Sequence, residues 1–97
     1  MRPKKLSPEE IQKALVSCPD WSRVEEKLHR EFRFQDFEQA FAFMTQCAKV
    51  AESLNHHPEW FNVYNRVEVQ LTTHDAGGLT SLDFELARCM DEIAQNH

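Results

Sequence analysis

Residues 36–60 read DFEQAFAFMTQCAKVAESLNHHPEW, and the rest of the chain is arranged around this stretch. Asp36 is a favourable N-cap for a helix, and Gln39 is placed to complete a capping box. Pro58 must end that helix, because proline lacks an amide proton and disfavours helical geometry in the residue before it. We therefore predict one long central helix that runs from Asp36 to about His56.

The apolar stripe of this predicted helix is unusually wide. Its members are Ala40, Phe43, Met44, Cys47, Val50, Ala51 and Leu54, and Phe37, Phe41 and Ala48 widen it. Packing against a single sheet needs a narrower stripe. We expect the helix to be covered from two directions, with a neighbouring subunit as the second cover in so small a protein.

The chain before the central helix predicts one helix and one hairpin. Ser7, Pro8 and Glu10 are typical of a helix start with a capping box, and Cys18-Pro19 ends that helix. Two extended arms, 21–24 and 28–34, follow and are joined through Glu25-Glu26-Lys27.

The chain after Pro58 alternates between polar and apolar residues and predicts a second hairpin. A three-residue turn from Tyr64 to Arg66 would set Val63 opposite Val67 and keep one face apolar. The same register would set Phe61 opposite Val69 and leave Trp60, Tyr64 and His74 away from the apolar side or at the end of the sheet.

The last segment predicts a flexible link and a final helix. The link is Asp75-Ala76-Gly77-Gly78, and Thr80 with Asp83 forms the next capping box. The apolar stripe of that helix is Leu82, Leu86, Cys89, Met90 and Ile93. The order α-β-β-α-β-β-α predicts a single α+β domain over residues 1–97, with a four-stranded antiparallel sheet and helices packed on one face.

Composition excludes several classes of function. The net charge of −5 and the lack of a Lys/Arg block disfavour direct nucleic-acid binding. No apolar run reaches the ~18 residues of a membrane span, and residues 1–6 lack the core of a signal peptide, so we expect a cytoplasmic protein. Cys18, Cys47 and Cys89 form no C-x-x-C pair and are expected to be small buried hydrophobes.

The chemistry-bearing residues gather in and after the central stretch: Glu52, His56, His57, Trp60, Tyr64 and His74. Two adjacent imidazoles at a helix C-terminus favour the protonated form, because the helix dipole is negative there. Zinc ligation by the imidazoles with Glu52 is disfavoured, since helical ligand pairs are usually four residues apart. Acid–base catalysis and a purely structural capping role both remain open.

A gapped pattern then resembles a known family. Glu52, three residues, His56-His57-Pro58, five residues, Tyr64, nine residues, His74, eight residues and Asp83 closely resemble the pattern of the pterin-4a-carbinolamine dehydratases. Residues 55–65 look like the animal members in particular. The resemblance is strong over residues 34–87 and loose before them.

The resemblance implies the elimination of water from a 4a-hydroxytetrahydropterin, without a metal or a redox cofactor, by a dimeric or tetrameric enzyme. It implies catalytic roles for His56, His57 and His74. The substrate-binding residues that it implies are Glu52, Pro58, Trp60, Trp21 and Asp83, where Asp83 could equally be only a helix cap. Asn55 stands where animal members commonly carry Asp.

Animal members of this family also imply a rival function, in which the helix surface binds the dimerisation helices of a homeodomain transcription factor. Such a role would add the nucleus to the expected cytoplasmic location. Changes at Phe43 and at His56 would separate the two functions, because a binding protein would lose its partner with the first change only.

Overall fold

The computed structural model describes residues 3–97 and has the predicted element order. The elements are α1 (Pro8–Val16), β1 (Ser22–Val24), β2 (Lys27–Arg33), α2 (Phe37–Leu54), β3 (Glu59–Val63), β4 (Arg66–Leu71) and α3 (Ser81–Ala94). The four strands form one antiparallel sheet in the order β1-β2-β4-β3. The predicted α+β class and the predicted strand and helix order are therefore confirmed.

The core lies between one face of this sheet and the helices. Leu28 and Phe32 of β2 and Val67, Val69 and Leu71 of β4 are buried on that face. They pack with buried residues of α2 and α3, among them Ala40, Phe43, Cys47, Phe84, Leu86 and Met90. Aromatic rings dominate one end of the core, where the Phe43 ring lies 4.7 Å from that of Phe32 and 4.8 Å from that of Phe34.

The predicted helix caps are present, with one exception. Ser7 with Glu10 and Thr80 with Asp83 form complete capping boxes. Asp36 accepts a hydrogen bond from the Gln39 amide at 2.9 Å, but the side chain of Gln39 lies near His97 instead. The box predicted for the central helix is therefore only half formed.

The turn of the second hairpin differs from our prediction. Val63 pairs with Arg66 and Trp60 pairs with Val69, so the turn has two residues, Tyr64 and Asn65. The register predicted from Phe61 and Val63 is wrong, because that pair faces outward, with Phe61 56% exposed. Trp60 lies on the core side and packs against the core.

Two hydrogen bonds explain this register. The amide of Phe34 donates to the carbonyl of Asn65 at 2.9 Å, and the Asn65 side chain donates to the carbonyl of Phe34 at 3.0 Å. Tyr64 adopts a left-handed φ of 50°, which a tight turn requires. The turn is thus held by Phe34, the residue that follows β2. The alternation of polar and apolar residues within β3 and β4 does not reveal this contact.

Two smaller expectations also need correction. The first hairpin turns through Glu25 and Glu26 alone, since Val24 pairs with Lys27, and β1 begins after Trp21. The link at residues 75–78 is ordered: a 3-10 turn, His74–Ala76, is followed by an isolated bridge between Thr73 and Gly78. The segment is therefore a defined turn and not a flexible linker. Gly77 has a φ of 76° in this turn, a conformation that glycine adopts readily.

The outer side of α2 has no cover within residues 3–97. Phe37, Phe41 and Ala48 are exposed. Phe41 and Ala48 border an open groove of about 780 Å³ that is also lined by Met44, Lys49, Glu52 and Trp60. Phe43 is fully buried, so it does not belong to this surface. The choice of Phe43 as a probe of surface binding is therefore corrected to Phe41.

The expectations for the cysteines and for a membrane span can be compared with the structure. Cys18 and Cys47 are buried, as predicted, whereas Cys89 is only half-buried, and all three are free thiols. Burial raises the pKa of the Cys47 thiol to about 12. No helix within residues 3–97 has the length and the apolar character needed to cross a membrane. Met1 and Arg2, the first residues of the segment expected to lack a signal-peptide core, lie outside the described residues.

Candidate active site

The C-terminus of α2 presents the two adjacent histidines in opposite environments. Asn55 adopts a left-handed φ of 50°, its amide donates to Glu52 O at 3.1 Å, and the His56 amide donates to Ala51 O at 3.0 Å. These bonds form a Schellman motif, in which asparagine takes the position usually held by glycine. The motif turns the chain so that His56 is only 8% exposed while His57 points to solvent.

The buried imidazole pairs with a buried carboxylate on α3. His56 Nε2 lies 2.6 Å from Asp83 Oδ1, and Asp83 is fully buried. The other oxygen, Asp83 Oδ2, accepts from the Thr80 amide at 2.9 Å and from the Thr73 hydroxyl at 2.8 Å. Asp83 is therefore both the helix cap and the partner of His56. Substrate contact by this buried carboxylate stays a prediction.

The two exposed imidazoles each have a carboxylate of their own. His57 Nε2 lies 2.8 Å from Glu52 Oε1, and His74 Nε2 lies 3.0 Å from Glu59 Oε2. Glu59 also pairs with Lys27 at 2.5 Å. Hydrogen bonds from Lys27 and from His74 lower the pKa of the Glu59 carboxyl below its usual range, so Glu59 is ionised at neutral pH.

All three pairs use the same ring nitrogen, Nε2. An ionised carboxylate can only accept a hydrogen bond, so the neutral imidazole must carry its proton on Nε2. Nδ1 is then the nitrogen that can take up a proton from a substrate or, in the imidazolium, give one. A set of imidazoles with orienting carboxylates is suited to acid–base chemistry.

The fold brings the predicted catalytic segments together. His74 bonds to Glu59, which lies only two residues after His57, and Asp83 bonds both to His56 and to Thr73, the residue before His74. A cleft of about 280 Å³ opens at this junction, lined by the end of α2, the 3-10 turn and the start of α3, with His56, Thr73 and Asp75 in its wall, and Pro3 also borders it.

Other predicted site residues lie around this junction. Pro58 is half-buried and joins the histidine pair to β3. Trp60, also half-buried, and Glu52 both line the open groove along α2. Tyr64 occupies the turn at the far end of β3, roughly 16 Å along the strand from Glu59.

Trp21 is not brought to the histidines. Its indole Nε1 donates to Asp91 Oδ1 at 2.8 Å, and its ring packs edge-on against Phe32 in the core. Asp91 lies eight residues beyond Asp83 on α3, which is about 12 Å along the helix. Substrate contact by Trp21 stays a prediction, whereas its packing role is plain.

Sequence reasoning missed three residues of this arrangement: Thr73, Thr80 as a side-chain partner, and Glu59. Glu59 lies next to the recognised pattern, and its charge beside two histidines was a usable signal. Thr73 gave no signal, because its side-chain partners Thr80 and Asp83 lie beyond the few residues over which caps and turns can be recognised. Among residues 3–97, no group of three His, Cys, Asp or Glu side chains is arranged to hold a metal ion.

Comparisons with known proteins agree on one family. The profile of the family described as Pterin 4 alpha carbinolamine dehydratase matches residues 4–93. A protein of Solibacter usitatus (strain Ellin6076) that bears the pterin-4-alpha-carbinolamine dehydratase name is 59% identical over 90 residues, which are 93% of this chain and 95% of that protein.

Solved structures agree with this fold. A crystal structure from Brucella melitensis, described as a transcriptional coactivator/pterin dehydratase, superimposes with a TM-score of 0.91 at 48% identity, and the match covers 94% of this chain and 99% of that one. A pterin dehydratase-like protein identified as a RuBisCO assembly factor has a TM-score of 0.63 at 21% identity, over 76% and 86% of the two chains, and shows the fold alone. The named relatives are bacterial, whereas the sequence pattern had pointed to animal members.

Proposed function

Because the chain belongs to the pterin-4a-carbinolamine dehydratase family, whose members are hydro-lyases, we propose that it removes water from a 4a-hydroxytetrahydropterin by acid–base catalysis at its histidines. The observation that carries this proposal is the hydrogen-bonded junction in which Asp83 binds both His56 and Thr73, the residue before His74, beside a cleft that His56 lines. His57 and His74 each pair with a carboxylate of their own next to this junction.

The proposed reaction is an elimination. The bond between C4a and the hydroxyl oxygen breaks, and the hydroxyl leaves as water after it receives a proton. The neighbouring ring N–H gives up its proton and its electron pair forms the C4a=N double bond, so the product is a quinonoid dihydropterin. The pterin's oxidation state does not change. The step therefore requires one proton donor and one proton acceptor, which imidazoles supply near neutral pH.

The roles proposed for the histidines follow their positions. His56 and His74 act as acids toward the 4a-hydroxyl, and His57 holds the pterin ring and assists proton movement. The buried hydrogen bond to Asp83 supports the role of His56, because it holds the imidazole ring in one orientation. Pro58 directly follows the histidine pair, and Trp60 lines the groove along α2 together with Glu52, the partner of His57. Both supply apolar surface for a flat ring.

The proposal is tested by the decay of a 4a-carbinolamine with and without the purified protein. We expect His56→Ala and His74→Ala each to lower turnover by ~10²-fold or more, as the loss of a proton-transfer group does. His97→Ala is the matched control, because His97 lies at the C-terminus and its ring nitrogen bonds Gln39, outside the site. If the wild-type protein does not exceed the spontaneous rate, the proposal is wrong.

The biological setting proposed for this activity is the recycling of the pterin cofactor after aromatic amino acid hydroxylation. We propose that the enzyme works in the cytoplasm as a homodimer or homotetramer. The exposed stripe of α2 supports self-association, because Phe37 and Phe41 have no cover within residues 3–97.

A second candidate function is binding to a transcription-factor helix. It is favoured by the description of the Brucella melitensis relative as a coactivator and by the open apolar groove along α2. Phe41→Asp would abolish such binding and His56→Ala would not. The reverse result, loss of binding with His56→Ala alone, would exclude the groove as the binding surface.

A further inference from the structure

Thr73 connects the two parts of the candidate site through one side chain. Its hydroxyl lies 2.8 Å from Asp83 Oδ2, the carboxylate that binds His56, and its backbone immediately precedes His74. We infer that Thr73 is a positioning residue for the dehydration, holding His56 and His74 in a fixed relation. This inference rests on the proposed function and goes beyond it, because Thr73 has no part in the recognised pattern.

The hydrogen bonds around Thr73 have only one consistent set of directions. The carboxylate of Asp83 can only accept, so the Thr73 hydroxyl proton must point to Oδ2. The Thr73 oxygen lies 2.8 Å from the Thr80 oxygen, and since its own proton is used, the Thr80 hydroxyl must donate to it. The Thr80 oxygen in turn accepts from the Leu82 amide at 3.3 Å. These hydrogen bonds therefore form a one-directional series in which the Leu82 amide donates to Thr80, Thr80 donates to Thr73, and Thr73 donates to Asp83.

This chain fixes the carboxylate that faces His56. Asp83 Oδ2 has two donors, the Thr73 hydroxyl and the Thr80 amide, and Oδ1 is left for His56 Nε2 at 2.6 Å. A carboxylate held on one oxygen by two donors cannot rotate freely about its side-chain bond. Thr73 thus helps to determine which nitrogen of His56 carries the proton and where the other nitrogen points.

The backbone of Thr73 builds the turn that carries His74. Its carbonyl accepts from the amides of Ala76 and Gly77, both at 3.1 Å, and its own amide donates to Gly78 O at 3.1 Å. The backbone of Thr73 therefore anchors the 3-10 turn that begins at His74 through hydrogen bonds. Because the side chain of the same residue is bonded to Asp83, a change in that bond moves the His74 turn relative to His56.

The test compares three substitutions. Thr73→Val removes the hydroxyl and keeps the shape, and Thr73→Ser keeps the hydroxyl. Thr72→Val is the control, because Thr72 is the preceding residue, is buried, and donates its hydroxyl to Glu26 O at 2.8 Å, away from the histidines. We expect Thr73→Val to lower kcat about ten- to hundredfold, the range for a hydrogen bond to a charged group, with KM nearly unchanged.

A second readout does not depend on turnover. In the protein without substrate, the ring nitrogen resonances of His56 in an NMR spectrum should shift in Thr73→Val and stay in place in Thr72→Val. Thr73→Ser retains the hydroxyl that donates to Asp83. Its kcat should therefore lie within about threefold of the wild-type value, and its His56 resonances should return to the wild-type positions. If Thr73→Val does not fold, Thr73→Ala carries the same comparison.

Two results would overturn the inference. One is an unchanged His56 spectrum with wild-type kcat in Thr73→Val, and the other is an equal loss of kcat in Thr72→Val, which would reduce the effect to general destabilisation. Failure of the proposed function looks different: the wild-type protein would then show no acceleration, while the NMR comparison would still decide whether Thr73 positions His56.

Discussion

At the scale of single residues, the three imidazole–carboxylate pairs are alike in geometry and unlike in burial. The pair of His56 with Asp83 is almost completely removed from solvent, whereas the pairs of His57 and His74 are exposed. A hydrogen bond to a charged group inside a protein contributes about 1.5–3 kcal/mol, and an exposed ion pair contributes about 0–1 kcal/mol. The buried pair should therefore dominate the orientation of the site.

We predict that amide substitutions will show this difference. Asp83→Asn should lower turnover about ten- to hundredfold, and Glu59→Gln by less than about fivefold, because these factors correspond to the two energy ranges. Steady-state kinetics on the carbinolamine measures both. Asp36→Asn is the control, since Asp36 caps α2 far from the histidines and asparagine caps equally well. Equal losses for Asp83→Asn and Glu59→Gln would contradict the argument from burial.

At the scale of elements, the end of α2 determines where the histidine pair points. The Schellman motif at Asn55 reverses the chain direction before His56, and Pro58 then begins the path into β3. Asparagine tolerates the left-handed conformation because its short polar side chain can bond locally, whereas a β-branched residue there is strongly disfavoured.

We predict opposite outcomes for two substitutions of Asn55. Asn55→Gly should keep both the free energy of unfolding and turnover near the wild-type values, since glycine is the residue most common at this position. Asn55→Val should destabilise the protein by about 1–2 kcal/mol, the cost of the left-handed conformation, and should also lower turnover by displacing His56. Urea unfolding and kinetics measure the two effects. Full activity in Asn55→Val would show that the cap does not orient the histidines.

At the scale of the whole molecule, the exposure of apolar side chains on the outer side of α2 is not explained by contacts within residues 3–97. Phe41 is 52% exposed, and its ring packs against that of Phe37 at a tilt of 35° with ring centres 5.6 Å apart. The groove beside Phe41 extends to Glu52, the partner of His57. A surface of this kind, continuous with the candidate site, suits association through helices.

We predict that Phe41→Asp will convert an oligomer into a smaller species, because a charge would be buried in an apolar interface. Light scattering after size-exclusion chromatography measures the mass. Gln46→Asp adds the same charge at an exposed position of α2 that does not line the groove, and it should leave the mass unchanged. A wild-type protein that is monomeric at micromolar concentration would refute self-association through this surface.

The parts of the structure that followed from the sequence are those governed by neighbouring residues. The capping boxes at Ser7 and Thr80 and the end of α2 before Pro58 were predictable, because caps and helix breakers act within about four residues. The order of helices and strands followed from the period of their apolar residues.

The register of the second hairpin was not predictable in this way. Alternation pointed to Phe61 and Val63 as the buried residues, yet the core side carries Trp60, because the turn is tied to Phe34 of a different hairpin. The same limit applies to the site, where the pattern from Glu52 to Asp83 could be recognised but Thr73 and Glu59 could not be assigned partners.

The sequence by itself determined the family, the class of fold and the three histidines on which the proposed chemistry depends. Only the tertiary structure decided which carboxylate faces each imidazole, that Asp83 serves as cap and partner at once, and that Trp21 lies in the core beside Asp91. The physical reason is one of range: caps, turns and periodicity depend on residues close in the chain, whereas each of these decisions depends on contacts between residues that only folding brings within hydrogen-bonding distance.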